Sequence, residues 1–299
     1  MLRICDQVVL LGGAVACLSC ATGQAAPTSA PSDSTALPAS SAAPPQATPS
    51  EPAEAKSARP AHWSYEGPTG PGTWGELHAE YAACGQGQTQ SPIDLPRAPT
   101  GSTTEVQLSY GPTGLAVAHT EHVDDIIDNG HTIQVTVDEG STMSVQGTTY
   151  HLRQFHFHSP SEHTVDGRAF PLEVHFVHQA DDGRFAVLAA LVEPGGKNAN
   201  FAAVLAHLPS AKGETARPEG VVLHLGEALP AVAPATTYLG SLTTPPCTEG
   251  VSWVVLEGVH VTADDEQLRA FGARLGSNHR PVQPLYGRAF GQAGVRIEK

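Results

Sequence analysis

The chain has 299 residues and carries 30 acidic against 16 basic side chains, a net charge of −14 at neutral pH. This balance favours solubility and argues against nucleic acid as a partner, because nucleic-acid surfaces on proteins are basic. The length allows one large β domain or two smaller ones, the 40% hydrophobic content is enough for a substantial core, and no apolar run beyond the N-terminus reaches the length of a spanning helix.

Residues 1–22 read as an export signal. Arg3 is its only positive charge, Val8 to Leu18 is apolar, and small residues follow; Asp6 is unusual in such a region. Cys17 and Cys20 both follow small or apolar residues, as lipoprotein cleavage sites do, and Ala14-Val-Ala-Cys17 is the better local match. Acylation at either cysteine would attach the chain to a membrane; the alternative is an ordinary signal cut near Ala25. Residues 23–60 are rich in Ala, Pro, Ser and Thr, with eight prolines from Pro27 to Pro60. Such a stretch forms neither helix nor core and reads as a disordered, partly extended tether. Nothing in it names a protein partner.

A globular domain occupies residues 61–299 and begins near His62-Trp63-Ser-Tyr65. Trp63 and Trp74 suggest aromatic packing of an irregular arm. Beyond Gly101 short alternating segments are separated by turn signals: Val106 to Tyr110, Ile133 to Val137, Met143 to Gln146, Phe185 to Leu188, Val221 to Leu225, Tyr238 to Leu242 and Ser252 to Leu256. Many strands with few helices predict a large sheet. Two helices are expected: one capped by Asn198, with Phe201, Val204, Leu205 and Leu208 on one face and Pro209 at its end; the other starting in Thr262-Ala-Asp-Asp265, with Leu268, Phe271 and Leu275 buried and Gly276 at its stop. No internal repeat is found. Cys5, Cys17 and Cys20 fall in the signal, which leaves Cys84 and Cys247 in the domain.

The most informative stretch runs from Gln154 to His175. In Gln154-Phe-His-Phe-His158 the histidines alternate with phenylalanines, so on a strand both imidazoles leave one face. Leu172-Glu-Val-His-Phe-Val177 repeats the alternation after a gap containing Pro160 and Asp166-Gly167. Two antiparallel strands would bring His175 opposite His156 and His158. Three neutral imidazoles on rigid strands leave a tetrahedral metal one open position, the arrangement of a catalytic zinc site. Gln154 and Glu173 lie two residues before ligand positions, where each can accept an imidazole N–H. The helical zinc-protease motif His-Glu-x-x-His is absent, and His158 to Glu162-His163 has one residue too many for its inverted form.

The domain resembles the alpha-class carbonic anhydrases, in particular their bacterial branch. The motifs that carry the resemblance are Gln90-Ser-Pro-Ile93, Asn129-Gly-His131, Gln154-Phe-His-Phe-His158, Ser161-Glu-His-Thr-Val-Asp166, Glu173-Val-His-Phe-Val-His178, Gly240-Ser-Leu-Thr-Thr-Pro-Pro246 and Arg280-Pro-Val-Gln-Pro-Leu285, in family order from about Trp63 onward. The resemblance implies a mainly β, single domain around a large, twisted, mostly antiparallel central sheet of about ten strands, with a few short peripheral helices. It implies Zn2+ on His156, His158 and His175, oriented by Gln154, Glu173 and a backbone carbonyl near Asn278. It implies reversible hydration of carbon dioxide to bicarbonate and a proton by zinc hydroxide, steered by Thr243 and Glu162, with His131 as proton shuttle. Thr243 and Thr244 would contact bicarbonate, and Val177, Val187, Leu242, Val251 and Trp253 would form the apolar wall for carbon dioxide. A weak esterase side activity would follow from the same nucleophile. The resemblance further implies a Cys84–Cys247 disulfide, in keeping with export to the periplasm or envelope; two buried thiols are the alternative. Ser91-Pro92 and Pro245-Pro246 match positions that are cis in the family, and His163 is expected to make a structural hydrogen bond. A carbonic-anhydrase-like binding domain without catalysis is a different class of reading, disfavoured because all three zinc histidines are kept.

Overall fold

The computed structural model describes residues 61–96, 103–114, 116–120, 132–210, 214–258 and 261–298. The export signal, the tether, Cys17, Cys20 and His131 lie outside the described residues.

Twelve strands form one mixed sheet. Most neighbours are antiparallel. The parallel pairs are Phe185–Pro194 with Glu249–Leu256 and with Val261–Ala263, and Gly291–Glu298 with Thr103–Ser109. The short strands Glu214–Ala216 and Val261–Ala263 carry too few residues to show alternation, so the sequence does not reveal them. Gly291–Glu298 is a longer omission. It lies between Thr103–Ser109 and Val232–Ser241, and buries Ala293, Val295 and Ile297. Val221 to Leu225, expected as one strand, divides: Val222–His224 pairs with Pro112–Gly114 in a separate sheet, and Leu225–Glu227 is a 3-10 turn.

The strand Thr148–His158 organises the sheet. One edge pairs near its start with Thr142–Val145 and near its end with Thr132–Thr136, while the other edge pairs with Leu172–Gln179. Its phenylalanines face the helices: Phe157 stacks on Phe271 at 4.5 Å and meets Phe201 edge-on at 5.4 Å. The helix Ala199–Ala206 starts where Asn198 accepts a hydrogen bond from the Phe201 amide at 3.2 Å. The second helix, Asp265–Leu275, starts within the expected stretch Thr262-Ala-Asp-Asp265, where Asp264 is its cap and forms a reciprocal box with Gln267. Gln267 also exchanges hydrogen bonds with the Asn198 backbone at 2.7 and 2.9 Å, which joins the starts of the two helices. These helices anchor the back face of the sheet, and the histidines emerge from the front.

The N-terminal arm packs around Trp63, Trp74 and Tyr81, with the tryptophans edge-on at 5.1 Å. A Cys84–Cys247 disulfide closes the cluster. It spans 163 residues, and in the chain-entropy picture a loop of this length stabilises the fold by about 5 kcal/mol at most. The peptide bonds Ser91-Pro92 and Pro245-Pro246 are cis, as expected, and so is Ser159-Pro160.

Inside the core His178 is fully buried and its Nε2 lies 2.7 Å from the Tyr110 hydroxyl. Burial pulls the imidazole down to about 3, against the weaker opposing pull of nearby backbone carbonyls. Between about pH 3 and 6.5 the unfolded chain therefore holds a proton here that the folded chain does not, so folding stability rises with pH across this window. We predict that His178→Gln flattens the acid limb of the stability curve by one proton, about 1.4 kcal/mol per pH unit. Urea unfolding at several pH values measures this, and an unchanged slope would contradict it.

Candidate active site

The metal-ligating geometry comes from strand register. Antiparallel pairing sets His156 opposite His175, Gln154 opposite Val177 and His158 opposite Glu173. With side chains alternating between faces, this register brings all three histidines to one face. Each offers a ring nitrogen, and the three nitrogens lie within 4.8 Å of one another. The rings are buried, none more than 4% exposed.

Hydrogen bonds determine which nitrogens those are. His156 Nδ1 lies 2.9 Å from Gln154 Oε1, His158 Nδ1 lies 2.7 Å from the Asn278 carbonyl, and His175 Nε2 lies 2.7 Å from Glu173 Oε1. Each partner is an acceptor, so each of these nitrogens carries the proton. The lone pairs are left on His156 Nε2, His158 Nε2 and His175 Nδ1. The Nε2 of His158 is buried without a hydrogen-bond partner. A buried lone pair of this kind calls for a partner, and a cation meets the requirement. Burial, reinforced by the neighbouring imidazoles, pushes His156 well below its ordinary range. Burial also lowers His158, although Glu162 pulls the other way. Both rings are thereby kept neutral, as metal ligation requires.

Glu173 is the hub behind the ligands. Its Oε1 is shared by His175 and His163 at 2.7 and 2.6 Å, and its Oε2 accepts the backbone amides of Glu162 and His163, both at 2.8 Å. Burial alone would raise its pKa, but the electrostatic pull and hydrogen bonds of the His163 and His175 rings outweigh this and hold it well below the usual carboxylate range. The cluster His163, Glu173 and His175 is therefore a hydrogen-bonded relay. It uses the nitrogen of His175 that faces away from the other two ligands. His163 continues it through Nε2 to Tyr238 at 2.6 Å, and Tyr238 meets the Ser91 hydroxyl at 2.9 Å.

Glu162 is 1% exposed. Its Oε1 accepts the backbone N–H of Arg280 at 2.8 Å, while its Oε2 has no hydrogen-bond partner and lies 3.6 Å from His158 Nε2 and 3.9 Å from His175 Nδ1. Thr243 and Thr244 are buried in the turn that follows Val232–Ser241. The expected hydrogen bond from the Thr243 hydroxyl to Glu162 is not formed here: Oε1 is occupied by Arg280, and Oε2 remains free.

The five expected wall residues, Val177, Val187, Leu242, Val251 and Trp253, are buried in one apolar cluster, separate from the main core. Register again explains the grouping. Gln154, Val177, Val187, Trp253 and Tyr238 are successive partners across five neighbouring strands. Trp253 meets the His175 ring edge-on at 4.9 Å, so the cluster abuts the ligands. His163 joins a second group with metal-ligand spacing, with Glu173 and His175; no further histidine does so among the described residues.

Three residues of this site had no role assigned from sequence. Tyr238 is on a strand whose alternation suggests plain core. Ser91 was noted only for its cis bond. Arg280 belongs to a quoted motif, but no periodicity indicates that a guanidinium there is 1% exposed.

A family model for eukaryotic-type carbonic anhydrase matches residues 69–292. The chain is 37% identical over 235 residues to a carbonic anhydrase of Pectobacterium atrosepticum, covering 78% of this chain and 92% of that one. It is 39% identical over 229 residues to a carbonic anhydrase of Neisseria gonorrhoeae, covering 76% and 86%. The alpha-carbonic anhydrase of Thermovibrio ammonificans, solved with the inhibitor sulfanilamide, superposes with a TM-score of 0.71 at 37% identity over 77% of this chain and 99% of that one. With a buried three-histidine group on the central sheet and relatives of this likeness, the chain belongs to the alpha carbonic anhydrases, enzymes of carbon dioxide hydration.

Proposed function

We propose that residues 61–299 form a zinc-dependent catalytic domain that interconverts carbon dioxide and bicarbonate. The observation that carries this reading is the convergence of three buried imidazoles, each with an acceptor held against one ring nitrogen. Three nitrogen donors and one remaining tetrahedral position suit zinc, as in carbonic anhydrases generally. When bound, zinc supplies Lewis acidity that makes a water molecule nucleophilic near neutral pH.

The remaining work falls to the chain's own side chains. Glu173, ionised and fully hydrogen-bonded, strengthens His175 as a donor through its N–H. The Thr243 hydroxyl accepts a hydrogen bond from the attacking oxygen once its own proton points to a carboxylate, and Glu162 Oε2 is the free buried acceptor available to it. That arrangement aims a lone pair at the substrate carbon. Thr244 and the Thr243 amide hold bicarbonate. Carbon dioxide is small and uncharged, so Val177, Val187, Leu242, Val251 and Trp253 offer it apolar surface without competing charges.

Each turnover leaves a proton that the immobile ligands cannot carry away. A histidine near its ordinary pKa suits this task, and we assign it to His131. It immediately precedes the strand Thr132–Thr136, in which Gln134 is the cross-strand partner of His156.

We also propose export to a bacterial envelope, where the oxidising environment maintains the Cys84–Cys247 bond. Residues 23–60 would then tether the domain to a membrane if Cys17 or Cys20 is acylated. Persistence of acyl labelling after both cysteines are changed would rule out that anchor.

We expect one zinc per chain and carbon dioxide hydration that is lost on chelation and blocked by an aromatic sulfonamide. His175→Ala should lose both zinc and hydration; a variant that kept wild-type turnover would overturn the assignment. His131→Ala should slow turnover mainly in weak buffer, with recovery on adding a small imidazole. Stopped-flow rates at low buffer check this, and an unchanged rate there would remove His131 from the mechanism.

A further inference from the structure

Arg280 is among the largest fully buried side chains of the domain. Its guanidinium donates only to neutral acceptors: Nη1 to Gln90 Oε1 at 2.8 Å and to the Ser91 carbonyl at 2.7 Å, and Nη2 to the Cys84 carbonyl at 2.8 Å. It stands over the Trp74 ring at 5.6 Å, and its Nε has no hydrogen-bond partner. Burial draws the group down to about 10, although Glu162 pulls it upward, so it remains a cation at neutral pH. Burying a cation on neutral partners opposes folding, and this invites a functional explanation.

The surroundings of its main chain supply one. Asn278 to Arg280 lie outside any helix or strand, so sheet pairing does not hold them. Yet this short segment touches the site twice. The Asn278 carbonyl faces His158 Nδ1 at 2.7 Å, and the Arg280 N–H donates to Glu162 Oε1 at 2.8 Å. At one end the Asn278 side chain ties it to the backbone of Phe157 and Ser159, at 2.9 and 2.8 Å. At the other end the anchor is the guanidinium. The acceptors it uses all belong to the N-terminal arm, at or beside the disulfide. Gln90 is in turn held by Glu249 and the Cys247 carbonyl, both at 3.1 Å.

We propose that Arg280 is a positioning residue for Glu162. Its guanidinium, caged by arm carbonyls, fixes the backbone N–H that turns the free oxygen of Glu162 toward the three histidines. In this view the arm takes part in catalysis by holding that cage, rather than only covering the sheet. The inference rests on Glu162 steering the attacking oxygen, as argued above.

The test is a double-mutant cycle on the zinc-loaded full chain, with Arg280→Lys, Glu162→Gln and the pair. Carbon dioxide hydration gives kcat and KM; zinc content and the visible spectrum of the cobalt-substituted protein report the metal site independently of turnover. We expect Arg280→Lys to lower kcat about 10- to 100-fold, as small misplacements of a catalytic group do. KM, zinc content and the cobalt spectrum should stay unchanged. In the Glu162→Gln background the same substitution should have no further effect on kcat. An equal fall in both backgrounds, or no fall in either, would show that Arg280 is merely structural and overturn the proposal. Wild-type kcat in Glu162→Gln alone would overturn the reading of Glu162 and this inference with it. If Arg280→Lys does not fold, Gln90→Ala, which removes one side-chain acceptor from the cage, runs the same cycle with the same expectations.

Discussion

The site depends on one cross-strand register, the pairing of His156 with His175. A strand's side chains alternate with period two, so a slip of one residue would send His175 into the phenylalanine core and Phe176 into the site. The register is held from behind. Phe155, Phe157 and Phe176 fill the back face with Phe201 and Phe271, so a slipped strand would have to bury imidazoles in that layer and expose phenylalanines. The aromatic core and the metal-ligating face are thus two consequences of one alternation. Rigidity follows, because the ligands sit within a sheet rather than on loops.

Electrostatics add the second constraint. Glu162 and Glu173 are both buried beside the ligands, and the Glu162 backbone donates to the Glu173 carboxylate. Two buried carboxyl groups in one place are costly unless opposed by charge and hydrogen bonds. Glu173 meets this requirement with four N–H donors. Glu162 has one donor and a free oxygen facing the ligand nitrogens. The difference matches their assigned tasks: a fully satisfied carboxylate is suited to hold a ligand still, whereas one with an unused acceptor can take part in a changing hydrogen-bond pattern.

Much of this was legible in the residues. The alternating histidines placed a metal site on paired strands, and Asn198 marked a helix start that the structure reproduces. The ligand-orienting contacts of Gln154 and Glu173 follow from their position two residues before ligands on the same strand face. The resemblance added the carbonyl near Asn278 and the pairing of Cys84 with Cys247. What escaped had physical reasons. Gly291–Glu298 contains glycines at both its first and fourth positions, which blunts its alternation, yet its neighbours on either side supply the pairing. Arg280 and Tyr238 act through contacts made by distant parts of the chain, which no local pattern encodes. The contact of the Arg280 amide with Glu162 is a similar case, made across 118 residues of chain.

The central claim is that three imidazole nitrogens, and no carboxylate, hold a zinc ion on this sheet. Zinc X-ray absorption on the purified full chain measures it most directly. The account predicts a four-coordinate zinc with three imidazole nitrogens at about 2.0–2.1 Å and one further light ligand. Sulfur in the first shell, or a six-coordinate oxygen environment without the multiple-scattering signature of imidazole, would contradict it.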